Sequence, residues 1–214
     1  MCSSDLGVST LTNIRFVSIS GGQLYASSAS GTSRLGTVGT GLPTTSGQAF
    51  TNLPGFPTGG GPYGFFLADL SASIPGDDTV YVADDTASAL RKYSLVGGSW
   101  TLNGTIGVDA DDYRGLTGSV SGSTVTLFAT RKGGSGSTGG GELVTLTDGS
   151  GYNGALTGTP TVLATAANQT AFRGVALAPG APLAAADLTI GLTAPASGTV
   201  GTPFSYTLTL ANPG

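Results

Sequence analysis

The chain has 214 residues, a formal net charge of −4, no histidine and only 9% charged residues, far below the roughly 25% of ordinary soluble domains. Eight scattered Lys and Arg do not make the clustered basic surface that nucleic acid requires. Without His there is no Ser–His pair and no histidine-held metal, and no apolar run approaches the ~18 residues that cross a bilayer as a helix.

Gly is abundant, at 37 residues, but regular clusters of Val, Leu, Tyr and Phe point to a packed core rather than disorder. The chain opens on Met1-Cys2-Ser3-Ser4-Asp5-Leu6. This hexapeptide resembles the translation of a sequencing-adapter read-through, with codons of the kind GTG-TGC-TCT-TCC-GAT-CT. Residues 1–6 are therefore expected to be an assembly artefact, which would make the only Met and the only Cys non-native. A Cys-free remainder fits many secreted bacterial proteins. No basic start followed by an apolar core is visible, so no signal peptide is read.

From residue 15 an alternating apolar pattern recurs. Residues 15–19 (RFVSI) are answered by 23–26 (QLYA), and 33–38 (SRLGTV) supply a third strand. Residues 64–68 (GFFLA) are answered by 80–83 (VYVA), then 90–95, then 100–106. The strand from Thr79, the acidic turn at Asp84-Asp85 and the return through Tyr93 are the clearest hairpin of the chain. Residues 114–118 (RGLTG) are answered by 125–129 (VTLFA), then 142–147, then 161–165. Gly97-Gly98 and Asp148-Gly149 stand where tight hairpins need positive φ.

A fourth opening, 173–177 (RGVAL), follows. The openings are 49, 50 and 59 residues apart. Four strands recurring at about 40–50 residues are the signature of a propeller blade, and near-constant spacing favours that over a β-sandwich. The fourth opening predicts a lone strand that completes a blade from elsewhere in a ring, so further N-terminal blades are expected. Residues 187–192 and 204–210 alternate again, around turns at 194–198 and 212–214.

The predicted architecture is all-β. A partial β-propeller of about three four-stranded blades plus a closing strand spans 7–179, with units 15–63, 64–113 and 114–172 and the closing strand 173–179. A linker follows at 180–186, and 187–214 form the first strands of a truncated Ig-like β-sandwich.

Residues 186–190 (ADLTI) with 200–214 (VGTPFSYTLTLANPG) resemble the opening of the bacterial Ig-like conserved repeats of the DUF11 type. Residues 79–93 resemble the NHL-like propeller repeat, although these units run longer. Residues 113–118 (YRGLTG) and 172–179 (FRGVALAP) are similar to a propeller region of large secreted or cell-surface bacterial proteins. Some of those carry lamin-tail or extracellular nuclease domains. The resemblance implies an extracellular or cell-surface location and a binding or scaffolding role.

Few residues invite chemistry. Gly134-Ser135-Gly136-Ser137-Thr138-Gly139 matches GxGxxG, but a strand follows it where a dinucleotide loop needs a helix. It is read as a flexible hairpin. Asp109-Ala110-Asp111-Asp112 is the densest acidic group. It lacks the Gly and the closing Glu of a calcium loop, so it is read as a connecting turn, with calcium as the weaker alternative. Asp77-Asp78 and Asp84-Asp85 are read as acceptors of backbone amides. Arg15, Arg114 and Arg173 recur at the openings and are expected to tie adjacent blades, the alternative being an anion site on a central channel. Trp100 is expected to pack at a blade edge rather than stack on a sugar. Glu142 is the lone Glu and Cys2 is no nucleophile. No catalytic, cofactor-binding or metal residue is assigned.

Two functional readings follow. One is a non-catalytic scaffold or binding module with an unknown protein or glycan partner, without nucleic acid and without a transmembrane segment. The other is the accessory propeller region of an extracellular hydrolase, a nuclease or phosphoesterase, whose catalytic domain lies outside these residues.

Overall fold

The computed structural model describes residues 11–108, 110–132, 141–178, 189–193, 197–203, 205 and 207–211. The adapter-like hexapeptide, Asp109, the Gly-rich run at 134–139 and the linker at 180–186 lie outside the described residues. Contacts divide the chain into two compact units, Met1–Leu177 and Ala178–Gly214. Every regular element among the described residues is a β-strand, and none is a helix.

In the larger unit twelve strands form three four-stranded antiparallel sheets, each a simple meander in chain order. The first sheet contains β1 (Ile14–Ser20), β2 (Gln23–Ser30), β3 (Ser33–Val38) and β4 (Phe50–Asn52). The second contains β5 (Pro62–Ala68), β6 (Thr79–Asp84), β7 (Ala89–Val96) and β8 (Ser99–Ile106). The third contains β9 (Leu116–Ser121), β10 (Thr124–Arg131), β11 (Glu142–Asp148) and β12 (Thr161–Thr165). No barrel closes among them. In the smaller unit β13 (Thr189–Thr193) and β14 (Thr207–Ala211) pair antiparallel, Thr189 opposite Ala211.

The period of two in each strand decides how the sheets stack. We call the face turned toward the preceding sheet the front and the opposite one the back. On β6, Val80 and Val82 point forward into a core with Leu35, Leu53 and Phe56 of the first repeat. Tyr81 and Ala83 point backward into a core with Leu116, Leu127 and Val144 of the third sheet. Every residue of β6 is buried. That explains why this strand reads as unbroken β-branched and aromatic sequence: both of its faces are interior. Trp100, on the edge strand β8, is only 6% exposed in the front core, as a packing residue should be.

Each repeat also meets the opening of the next through hydrogen bonds to backbone carbonyls. Ser27 Oγ donates to Tyr63 O at 2.6 Å, Gly64 N donates to Arg114 O at 2.8 Å, and Thr130 Oγ1 reaches Arg173 O at 3.5 Å. At Gly64 the approach is close enough that a Cβ would lie 2.6 Å from Leu116 N and 2.7 Å from Arg114 O.

Three local expectations need correction. Residues 173–178 form no strand, although a closing strand was expected over 173–179, with Pro179 outside the described residues. That segment approaches the third repeat at Thr130 and Gly115, through the Arg173 carbonyl and Gly174, and no described strand offers it a ladder. Asp148-Gly149 is not a tight turn: β11 ends at Asp148, β12 begins at Thr161, and Gly149 lacks positive φ. The Asp148 side chain is drawn inward instead. The short outer strand β4 had no sequence signal. Asn52 secures it, accepting from Arg34 N at 2.8 Å and donating to Thr32 O at 2.9 Å. Gly97 and Gly98, by contrast, take φ of 58° and 83° in the β7–β8 turn, the left-handed pair that two-residue hairpins need.

Gly64 separates packing from backbone conformation, because its φ is ordinary. Gly64→Ala is expected to cost about 1–3 kcal/mol through overpacking against a neighbouring backbone. Gly149→Ala, whose Cβ would meet nothing nearer than 4.0 Å, should stay within about 0.5 kcal/mol of the parent. Urea midpoints of the two variants check this.

Candidate functional site

Among the described residues, two clusters of charge lie at joints between sheets. Lys92 lies on β7 opposite Tyr81, and both side chains project from the back of the second sheet. Its ammonium is fully buried. It donates to Asp148 Oδ2 at 2.8 Å, Ser150 Oγ at 2.7 Å and Gly151 O at 2.6 Å. Three donors thus meet three acceptors. Tyr81 OH donates to the same Asp148 oxygen at 2.7 Å, and Ser150 N caps the other at 3.0 Å. Burial alone would raise the Asp148 carboxyl, but the hydrogen bonds from Lys92, Ser150 and Tyr81 outweigh it and hold the group below the ordinary carboxylate range. Burial first, and then the Asp148 carboxylate, push the Tyr81 phenol far above its usual value. The group is an ammonium–carboxylate clamp between the second and third sheets, with no room for a substrate.

A second cluster lies where first strands begin. The guanidinium carbon of Arg15 is 4.3 Å from the Tyr63 ring centroid, and that of Arg114 is 5.3 Å from it. Arg114 also reaches Asp85 at 3.3 Å. Arg15 Nε is buried without a hydrogen-bond partner. Three successive repeats therefore meet on one tyrosine, and Arg114 ties its repeat to the preceding one, as expected of an opening arginine. The structure brings Arg15 and Arg114 together and places the Arg173 backbone on the neighbouring Thr130. The part played by Tyr63 has no signal in the sequence beyond its place before Gly64.

Of the acidic pairs singled out in the sequence, Asp78 and Asp84 accept backbone amides, and Asp85 pairs with Arg114 instead. Asp78 accepts from Leu70 N and Ser71 N, the latter at 2.6 Å. Asp84 accepts from Gly61 N and Ala87 N, each at 3.0 Å, and pairs with Arg91 at 3.1 Å. The Asp78 contacts close its own β5–β6 connection and the Asp84–Ala87 contact closes its own turn, whereas Gly61 N comes from 23 residues earlier.

Of the group at 109–112, Asp111 accepts from Val108 N at 3.0 Å and pairs with Arg131 at 3.2 Å. Asp112 pairs with Lys132 at 3.0 Å and accepts from Ser88 Oγ. The Lys132 ammonium beside it holds the Asp112 carboxyl below its ordinary range. Glu142 pairs with Arg131 at 2.7 Å. Among the described residues no set of three His, Cys, Asp or Glu could hold a metal ion.

Beside this Arg131 network opens a cleft of about 330 Å³. Ile106, Val108 and Pro160 give it an apolar wall, and Asp111, Arg131 and Thr159 a polar one. Its volume is at the lower end for small-molecule sites. It had no signature in the sequence, because Gly158, Thr159 and Pro160 belong to the long β11–β12 connection. The chain matches no family model, no curated protein and no solved structure.

Removing one partner of a fully buried pair strands the other. Lys92→Met is expected to cost about 3–5 kcal/mol, and Lys92→Met with Asp148→Leu to recover part of that loss. The folded Asp148 value lies below the unfolded one, so its contribution is present above the ordinary carboxylate range. It is lost as pH falls through the depressed folded value. Urea midpoints measured from neutral pH to below about pH 4 should fall less steeply in Asp148→Asn than in the parent.

Proposed function

We propose that this chain is a non-catalytic scaffold and binding module of a large secreted or cell-surface bacterial protein. In this reading the three sheets are consecutive blades of an NHL-like β-propeller, joined by further blades, and β13–β14 open an Ig-like domain of the DUF11 type. One observation carries it: successive four-stranded meanders stack back to front with their first strands adjacent, and the same joint recurs between repeats. A stack of this kind can be extended by repetition, and it leaves loops at the strand ends free to vary.

The partner is a protein or a glycan that docks on those loops. The cleft beside Arg131 supports a glycan best. Sugars present apolar faces and hydroxyls together, and Ile106, Val108 and Pro160 stand beside the polar groups of Asp111, Arg131 and Thr159. The ionic side chains there are already paired with each other, which suits a neutral polar ligand better than an anion.

A panel of immobilised bacterial polysaccharides tests this. The chain is expected to be retained by at least one, and Thr159→Arg, which fills the cleft without removing an ion pair, to weaken retention by about tenfold. Release of cleaved product from a retained polysaccharide, or turnover of a phosphodiester, would favour the hydrolase reading instead.

A further inference from the structure

The residues at the repeat openings hold equivalent places and are used unequally. Register fixes the equivalence. Phe65 pairs with Val82 in the second sheet and Leu116 with Ala129 in the third. Tyr63 and Arg114 each stand just before the glycine that precedes these pairs, and Asp85 and Lys132 follow them at the same interval. Val17 pairs with Ala26 in the first sheet, which gives Arg15 the place of Tyr63. Arg173 belongs to the next opening, because Gly115 approaches its carbonyl as Gly64 approaches that of Arg114.

Arg114 is neutralised by Asp85 of the preceding repeat, at 3.3 Å. Arg173 lacks that partner, because the residue in the place of Asp85 is Lys132, itself paired with Asp112. Arg15 lies over the Tyr63 ring, with its Nε buried and unbonded. Of the eight Lys and Arg, Arg91, Lys92, Arg114, Arg131 and Lys132 pair with carboxylates, and Arg34 donates to the carbonyls of Gly31 and Ser33. Among the described residues the two cations left over, Arg15 and Arg173, are both opening residues. Arg15 and Arg114 also share one ring, and like charges held together favour an incoming anion. Asp85 and Asp112, the carboxylates that face Arg114, are both already paired.

We propose that the row of opening arginines binds the carboxylates of an acidic polysaccharide, with Arg15 and Arg173 as its unpaired cations and Arg114 between them in chain order. A planar guanidinium matches a planar carboxylate through two parallel N–H donors. Cations at several successive openings suit a polymer that carries a charge on each sugar. The net charge of −4 gives the chain no general attraction for a polyanion, so binding of one must be local. This rests on the glycan-binding reading proposed above, but none of the three arginines lines the cleft. In the stacked arrangement a further blade adds its own opening to the row rather than covering it.

Titration of the whole 214-residue chain into labelled oligogalacturonate, read by fluorescence anisotropy, tests this. A neutral maltooligosaccharide of the same length is the reference. The acidic oligosaccharide is expected to bind more tightly, and its binding to weaken as salt rises. Arg173→Gln and Arg15→Gln should each weaken it about fivefold, and the pair together by more than about tenfold. Arg173 is exposed, so its variant removes no packing, and an unshifted Trp100 emission maximum would establish that each variant folds. Equal binding of the two oligosaccharides overturns the inference. So does binding that neither substitution weakens, or an oligoglutamate that binds as tightly. Thr159→Arg reads the cleft independently on a neutral polysaccharide, so failure of the glycan reading there is distinguishable from failure of the row.

Discussion

Both faces of β6 are committed, and the rest of the larger unit is arranged by that constraint. Val80 and Val82 belong to one core and Tyr81 and Ala83 to the other. A one-residue slip of this strand would exchange the two sets and send the Tyr81 hydroxyl into an apolar core, away from Asp148. Register is therefore fixed by packing on two sides at once. Hydrophobic burial supplies most of the stabilisation here, because buried apolar area is what both joints have in quantity.

The charged groups do a different job. With only 9% charged residues, the chain places most of its cations where repeats meet. Lys92 joins the second sheet to the loop after β11, Arg114 joins the third repeat to Asp85, and Arg131 gathers Asp111 and Glu142. The exposed members of this set add little to stability, since solvent screens them. The Lys92–Asp148 pair is dry, and its ions are costly to desolvate. Its geometry, with every ammonium proton accepted, suits a device that selects one alignment of two sheets over others.

Much of the fold was legible because the repeat unit is local. Alternation over 79–84, the Gly97-Gly98 turn and the even spacing of the openings are each written within a few residues, so the three meanders could be placed to within a residue or two at most strand ends. What was not legible depends on distant contacts. The three-residue strand β4 is held by Asn52 to residues 18 and 20 positions away, and no local pattern encodes that. Asp148-Gly149 has the composition of a tight turn, but the pull of Lys92, 56 residues earlier, overrides it. A lysine in an alternating strand ordinarily marks the wet face, so the burial of Lys92 could be inferred only with the third sheet in place. Arg114 was recognised as a tie between repeats, but its meeting with Arg15 on Tyr63 needs three repeats stacked together. Residues 173–178 show the limit of the repeat argument: an opening motif is only half of a hairpin, and without a returning strand it makes no ladder.

Packed on both sides of the second sheet, the three sheets are expected to behave as one cooperative body. Trp100 is the only tryptophan and sits in the core between the first and second sheets, so its fluorescence reports that joint alone. Leu127, 0% exposed, lies in the other joint. Leu127→Ala should cost about 2–5 kcal/mol. If the sheets are coupled, the urea transition of Trp100 shifts with it and stays coincident with the loss of far-ultraviolet circular dichroism. A Trp100 transition that does not move while the circular dichroism splits into two steps would contradict the account, because the sheets would then be stable one by one.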